Sequence, residues 1–118
     1  MSFNAGFQGK LAESAACDYL QAQGLTLVER NYRCRGGEID LIMKDGDSMV
    51  FIEVRYRASS RFGDGAESVD RNKQKRLIGT AAHYLQSHPQ AANRPARFDV
   101  VFFDASSAIH WIKDAFRA

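Results

Sequence analysis

The chain has 118 residues, 45% of them hydrophobic and 25% charged, the balance of an ordinary soluble protein long enough for one real core. A formal net charge of +2 excludes a protein that coats nucleic acid by bulk charge, so any site for a polyanion has to be a local patch. No run approaches the ~20 apolar residues of a membrane span, and Met1 to Lys10 lacks the apolar segment of a secretory signal. Cys17 and Cys34 stand apart, without CxxC or zinc spacing, and read as free thiols in a reducing cytoplasm.

In chain order, residues 1–6 read as a loose terminus. Lys10 to Gln23 is predicted as a helix, because Leu11, Ala12, Ala15, Ala16, Tyr19 and Leu20 recur at helical spacing and Gly24 is a natural stop. Leu25 to Tyr32 is predicted as a strand, and Arg33 to Gly37 as a basic, glycine-ended loop. Two runs of alternating polar and apolar residues follow, Glu38 to Ile42 and Phe51 to Arg55, with the turn signal Asp45-Gly46-Asp47-Ser48 between them. Arg57 to Glu67 lacks periodicity and reads as a mobile loop. Asp70 is the expected N-cap of a second helix running to about Ser87, buried on Leu77, Ile78, Ala81, Tyr84 and Leu85. Ser87 to Ala96 is a connector, Phe98 to Phe103 an apolar central strand, Ala108 to Lys113 a short strand, and Asp114 to Ala118 a terminal turn. The order α-β-β-β-α-β-β predicts one α/β domain over residues 1–118, a mixed sheet with helices on its faces. No glycine-rich phosphate loop is present.

The hairpin carries the chemistry. A two-residue turn at Gly46-Asp47 and a four-residue turn give the same register, in which Lys44 faces Met49, Ile42 faces Phe51 and Asp40 faces Glu53. Glu38 and Asp40 are then expected on one face, Ile39 and Leu41 on the other. Like charges opposite each other are destabilising. A divalent cation held by both acids would offset them and would organise phosphodiester hydrolysis, with the cation of Arg55 beside it for developing charge. The other reading is a structural ion cluster in which Arg55 neutralises the acids.

Gly37-Glu38-Ile39-Asp40-Leu41-Ile42, Phe51-Ile52-Glu53-Val54-Arg55-Tyr56-Arg57 and Arg97-Phe98-Asp99-Val100-Val101 resemble the YraN family of small bacterial proteins. Glu13, Ala16, Tyr19 and Leu20 of the first helix, with Lys73, Ala82, Tyr84 and Leu85 of the second, extend the resemblance over nearly the whole chain. The family is similar to archaeal Holliday junction resolvases within the restriction-endonuclease-like PD-(D/E)xK superfamily. The resemblance implies four or five mixed strands flanked by helices and a site on Asp40 and Glu53; with the cation beside them, the expected catalytic set is Asp40, Glu53 and Arg55, with Mg²⁺ or Mn²⁺ on the two acids. It implies a third acid at Glu13, which otherwise reads as a solvated helix charge.

The motif calls for lysine where this chain has Arg55. Arginine stays protonated and cannot act as a base, so Lys73 is a candidate substitute near the site. Glu38 is expected beside the pair, capping the Gly36-Gly37 turn or pairing with Arg55. Arg33, Arg35, Arg57, Arg61, Arg71 and Lys73, with Arg30, Lys75 and Arg76, suit a DNA backbone, or a solvated charged face. Tyr32, Tyr56 and Phe62 interleave with them and would stack on bases or pack in the core. His83, His88 and His110 have no ligand spacing, and Trp111 is expected in the core or a dimer contact. The expected function is metal-dependent endonuclease action on branched or single-stranded DNA in the cytoplasm, with no membrane partner. A homodimer would place two sites across two strands. The alternative is a non-catalytic DNA-binding or protein-interaction module that retains the nuclease fold, with Arg55 locked into the acid pair.

Overall fold

The small and apolar residues of the first helix decide which face of the sheet it covers. The computed structural model describes residues 5–56 and 69–118, and in it α1 (Ala5–Ala22) sets Ala12, Ala16, Cys17 and Leu20 against Leu41, Met43, Val50, Ile52, Val101 and Phe103. Alanines on the buried stripe let the helix approach the strands closely. The opposite face is covered by α2 (Arg71–Ser87), whose Leu77, Ala81 and Tyr84 pack on Ile39, Ile42, Met49, Phe51, Phe98 and Val100. Asp70 caps α2 as expected, its Oδ1 accepting the Lys73 N–H at 2.8 Å.

Between the helices lies a five-stranded sheet in the order β1 (Thr26–Cys34), β2 (Gly37–Asp45), β3 (Ser48–Arg55), β4 (Ala96–Phe103), β5 (Ile109–Phe116). β3 and β4 run parallel and every other pair antiparallel. This is the expected mixed α/β class and element order. Parallel pairing needs a crossover, and α2 supplies it, followed by a single turn of helix, α3 (Pro89–Ala92), where only a connector was expected. No helix among the described residues is long and apolar enough to cross a membrane.

Three boundaries differ from the sequence reading. Helix α1 begins at Ala5, inside the stretch read as a loose terminus. The loop read at Arg33 to Gly37 is mostly strand, because β1 runs to Cys34 and β2 starts at Gly37, paired with each other. The C-terminal turn is also strand: β5 continues to Phe116, which pairs with Phe98. Arg57, Arg61 and Phe62, and the loop assigned to that stretch, lie outside the described residues.

The hairpin register is the expected one. Asp45 pairs with Ser48, Lys44 with Met49 and Ile42 with Phe51, around a two-residue turn in which Gly46 (φ 61) takes the left-handed conformation such turns require. The expected face assignment fails at one place. Ile39 joins the cluster on the α2 side, while Leu41 joins the one on the α1 side. In the neighbouring strand Arg30, partner of Leu41, reaches Ser14 of α1, and Tyr32, partner of Ile39, bonds to His83 of α2. Both strands therefore turn over between these pairs, at Asn31 and Asp40. Asn31 has φ 54, and a left-handed residue interrupts the alternation of side chains that a regular strand imposes.

Candidate active site

Asp40 stands where β1 and β2 turn over and where β2 and β3 part. The β2–β3 ladder ends at Leu41–Ile52. Continued, it would bring Val54 opposite Ile39. Instead the Val54 N–H donates to Asp40 Oδ2 at 2.8 Å. A side-chain carboxylate thus replaces a main-chain partner, and the strands separate around it. Glu53, buried on the other side of the gap, is hydrogen-bonded to Asp40 through the carboxyl groups. The two acids are neighbours, as the register requires.

Two cations meet Glu53 at one oxygen. Arg55 Nε lies 3.4 Å from Oε2, and Lys73 Nζ, brought in by the first turn of α2, lies 3.5 Å from the same atom. They do not offset burial. Loss of solvation and the charge of Asp40 push the Glu53 carboxyl up to about 7, against the pull of Lys73 and Arg55. Asp40 is raised as well, chiefly by burial, against the Val54 N–H that favours its charged form.

Glu13 approaches from α1. Its carboxyl is raised by burial and then by Asp40, while Arg30 and a hydrogen bond from Asn31 act in the opposite sense. Its Oε1 is a buried oxygen without a hydrogen-bond partner. The sequence reading left Glu13 between a solvated charge and a site acid; the residue is half-buried and feels the charge of Asp40. Glu38 pairs with Arg33 at 2.9 Å, not with Arg55, and its charge adds to the load on Asp40 and Glu13.

The donors are hard oxygens, which suit Mg²⁺ or Mn²⁺. Among the described residues no group of three or more His, Cys, Asp or Glu is placed to enclose a metal. Mg²⁺ does not require such a cage. It keeps several waters and commonly takes one or two carboxylates plus substrate oxygens. Asp40 and Glu53 fit that role, and the unpartnered oxygen of Glu13 faces the same need for a positive charge.

The basic residues divide. Arg33, Arg35 and Lys73 line a cavity of about 340 Å³ beside the acids, between the β1–β2 turn and α2, and Arg76 lines it too. Arg71 faces a different hollow, with Gln74, Lys75 and Ile78. A larger cavity, about 480 Å³, is apolar and lies away from the acids, walled by Phe51, Ile78, Leu85, Phe98 and Phe116. Tyr32 and Tyr56 pack against the two cores, and Trp111 packs against the α1-side core.

Two residues were missed from sequence. Asn31, which turns the strands over and bonds Glu13, carried one signal: asparagine tolerates the left-handed region better than other non-glycine residues. Asp99, quoted only within a motif, is fully buried. It accepts Arg97 Nε (3.0 Å to Oδ1), Trp111 Nε1 (2.9 Å) and the Asp114 N–H (2.9 Å). A lone aspartate between Phe98 and Val100 was its signal.

The comparisons agree with the motifs. The model of the Uncharacterised protein family UPF0102 matches residues 12–103. A UPF0102 protein of Nitrosococcus oceani is 56% identical over 93% of this chain and 91% of its own length. Those of Xanthomonas oryzae pv. oryzae and Nitrosomonas europaea are 52% and 51% identical, covering 94% and 96% of this chain and 92% and 96% of their own lengths. The chain belongs to UPF0102, the YraN family that its motifs resemble.

Proposed function

We propose that the chain binds DNA and hydrolyses phosphodiester bonds with Mg²⁺ or Mn²⁺ at Asp40 and Glu53. The observation that carries this reading is the gap between β2 and β3. It holds two hydrogen-bonded carboxyls, both raised by burial, with two cations at one oxygen of Glu53. Acids perturbed by burial and by each other in a cleft are candidates for a functional site. A bound divalent ion supplies an activated water and offsets charge on the scissile phosphate. Asp40 and Glu53 hold it, and Glu13 completes the acid set from α1. Arg55 stabilises developing charge on the phosphate. Lys73 stands at the same oxygen as a second cation. The restriction-endonuclease-like resemblance favours the same assignment. We place the activity in the cytoplasm, on branched or single-stranded DNA read by shape, with a homodimer as the means of reaching two strands.

The test is cleavage of linear, single-stranded, flapped and four-way DNA with Mg²⁺ and Mn²⁺. Asp40→Asn and Glu53→Gln are expected to lose more than about 100-fold in rate. Wild-type activity should rise as pH passes through about 7, because Glu53 must lose its proton to bind the ion. Cleavage that survives Asp40→Asn removes this site from the reaction.

The non-catalytic reading has one observation of its own, the contact of Arg55 with Glu53. It predicts that calorimetry detects no Mg²⁺ on the wild type and that Arg55→Lys newly admits it. The nuclease reading predicts metal binding in both, with cleavage maintained or raised by Arg55→Lys. Full cleavage in Arg55→Ala would move the cation's role to Lys73.

A further inference from the structure

Resting on that reading, we propose that the groove between the β1–β2 turn and α2 seats a second backbone phosphate of the DNA, flanking the one at the acid pair. Arg33, Arg35, Lys73 and Arg76 line it with Gly36 and Gly37; Glu38 is the one acid on its wall. Arg33 is committed to Glu38 and Lys73 reaches Glu53. Arg35 and Arg76 line the groove, are both exposed and have no ion pair among the described residues. The first turn of α2 holds no acidic residue, and Arg71, Lys73, Lys75 and Arg76 crowd its start. Asp70 at the N-cap answers the helix dipole, and Lys73 and Arg33 are paired with Glu53 and Glu38, which leaves Arg35 and Arg76 as the cations of the groove for an arriving anion.

The groove is also fixed in shape. A Cβ on Gly37 would meet Thr80 Oγ1 at 2.9 Å, so the backbone of the turn sits directly on α2. A Cβ on Gly36 would meet nothing within 4 Å, leaving that stretch of backbone open to a ligand. Lys73 belongs to both places. It lines the groove and lies 3.5 Å from Glu53 Oε2, so a strand with one phosphate at the acids passes Lys73 before reaching Arg76 and Arg35. At about 340 Å³ the groove accepts a nucleotide-sized group. Phosphate contacts carry no sequence information, so the seat sets position and affinity, not base preference.

The experiment separates this seat from the acid site. Binding of fluorescein-labelled single-stranded and duplex DNA is followed in EDTA over a salt series for wild type, Arg35→Ala, Arg76→Ala, the double variant and Asp40→Asn. Lys113→Ala, on the far edge strand, is the charge control. The double variant is expected to bind at least about tenfold more weakly, with a salt slope shallower by about 1 to 2, while Lys113→Ala stays at wild type. Arg76→Lys should restore most of the loss. In Mg²⁺ the double variant should raise KM and leave kcat within about twofold, a split that loss of fold would not give. Asp40→Asn should bind DNA as the wild type does without metal, and absence of cleavage by the wild type itself would overturn the nuclease reading and leave the seat standing. Wild-type affinity in the double variant, an equal loss in Lys113→Ala, or no DNA binding at low salt would overturn the seat.

Discussion

Two buried carboxylate centres lie in this sheet, and the chain treats them in opposite ways. Each sits where a strand ladder is interrupted, and at each an aspartate accepts a main-chain N–H that the ladder left over: Asp40 from Val54, Asp99 from Asp114. At Asp99 both oxygens are filled, by Arg97, Trp111 and the main chain, and Arg97 goes on to Asp45 at 2.9 Å. At Asp40 a second acid is added instead, a third comes from α1, and the cations gather at one oxygen of Glu53. Burial costs an ion its hydration in either place. A centre that returns hydrogen bonds for every oxygen is a structural clamp. On the nuclease proposal, a centre whose acids stay raised by burial has a place for an ion that arrives later.

The comparison breaks first at Asp99. Asp99→Asn keeps the shape but removes the charge that Arg97 and the donors face, and removing one partner of a buried pair costs about 3–5 kcal/mol. Urea unfolding should lose that much, with Trp111 fluorescence altered through its lost N–H acceptor. A cost below about 1 kcal/mol would mean that Asp99 is no clamp.

Glu53 should behave in the reverse sense. Its carboxyl lies at about 7 in the folded chain against an ordinary 4.5. A raised folded value means that the native state holds the proton longer. Stability from this group is therefore fully present below about pH 4.5, falls as pH rises towards 7, and is lost above it, by up to about 3 kcal/mol. Glu53→Gln is expected to be more stable than wild type at pH 8, by about 2 kcal/mol, and to flatten that decline. Millimolar Mg²⁺ at pH 8 should raise the wild-type melting temperature and leave Glu53→Gln unmoved, because only the native state assembles the pair. A wild type that gains stability between pH 5 and 7.5 would contradict the assignment.

How far these centres could be read from sequence follows from their geometry. The acid pair was legible because alternation and turn length fix a register, and the register alone brings Asp40 to Glu53. The cap of α2 at Asp70 was legible for a similarly local reason. The clamp was not, since Arg97, Asp99, Trp111 and Asp114 meet only when β5 folds back on β4. The same fold-back carries β5 past Asp114, where a turn was read: that residue is left-handed (φ 52), and its N–H is taken by Asp99 rather than lost. The basic groove is likewise a product of packing, with Arg35 and Arg76 brought together by Gly37 resting on Thr80.

The turning-over of β1 at Asn31 has the smallest expected effect and bears most directly on how the acid centre is assembled. Strict alternation would put Tyr32 on the α1 side, away from His83, and Ile39 out of the cluster around Leu77 and Tyr84. One left-handed residue corrects both and hands Asp40 to the gap between the strands. Asn31 makes two separable contributions, its backbone conformation and its hydrogen bond to Glu13. Asn31→Gly keeps the first and removes the second, so stability should change by less than about 1 kcal/mol, since glycine adopts the left-handed region freely. Asn31→Val opposes the first and should cost about 1–2 kcal/mol. If Glu13 belongs to the acid set, Asn31→Gly should also weaken Mg²⁺ binding by about three- to tenfold, as loss of a ligand's supporting hydrogen bond does elsewhere. Asn31→Asp restores the backbone preference but sets another charge beside Glu13 and should shift the metal-binding profile to higher pH. A metal titration in which all three variants match wild type would leave Asn31 a purely architectural residue and would take Glu13 out of the acid set.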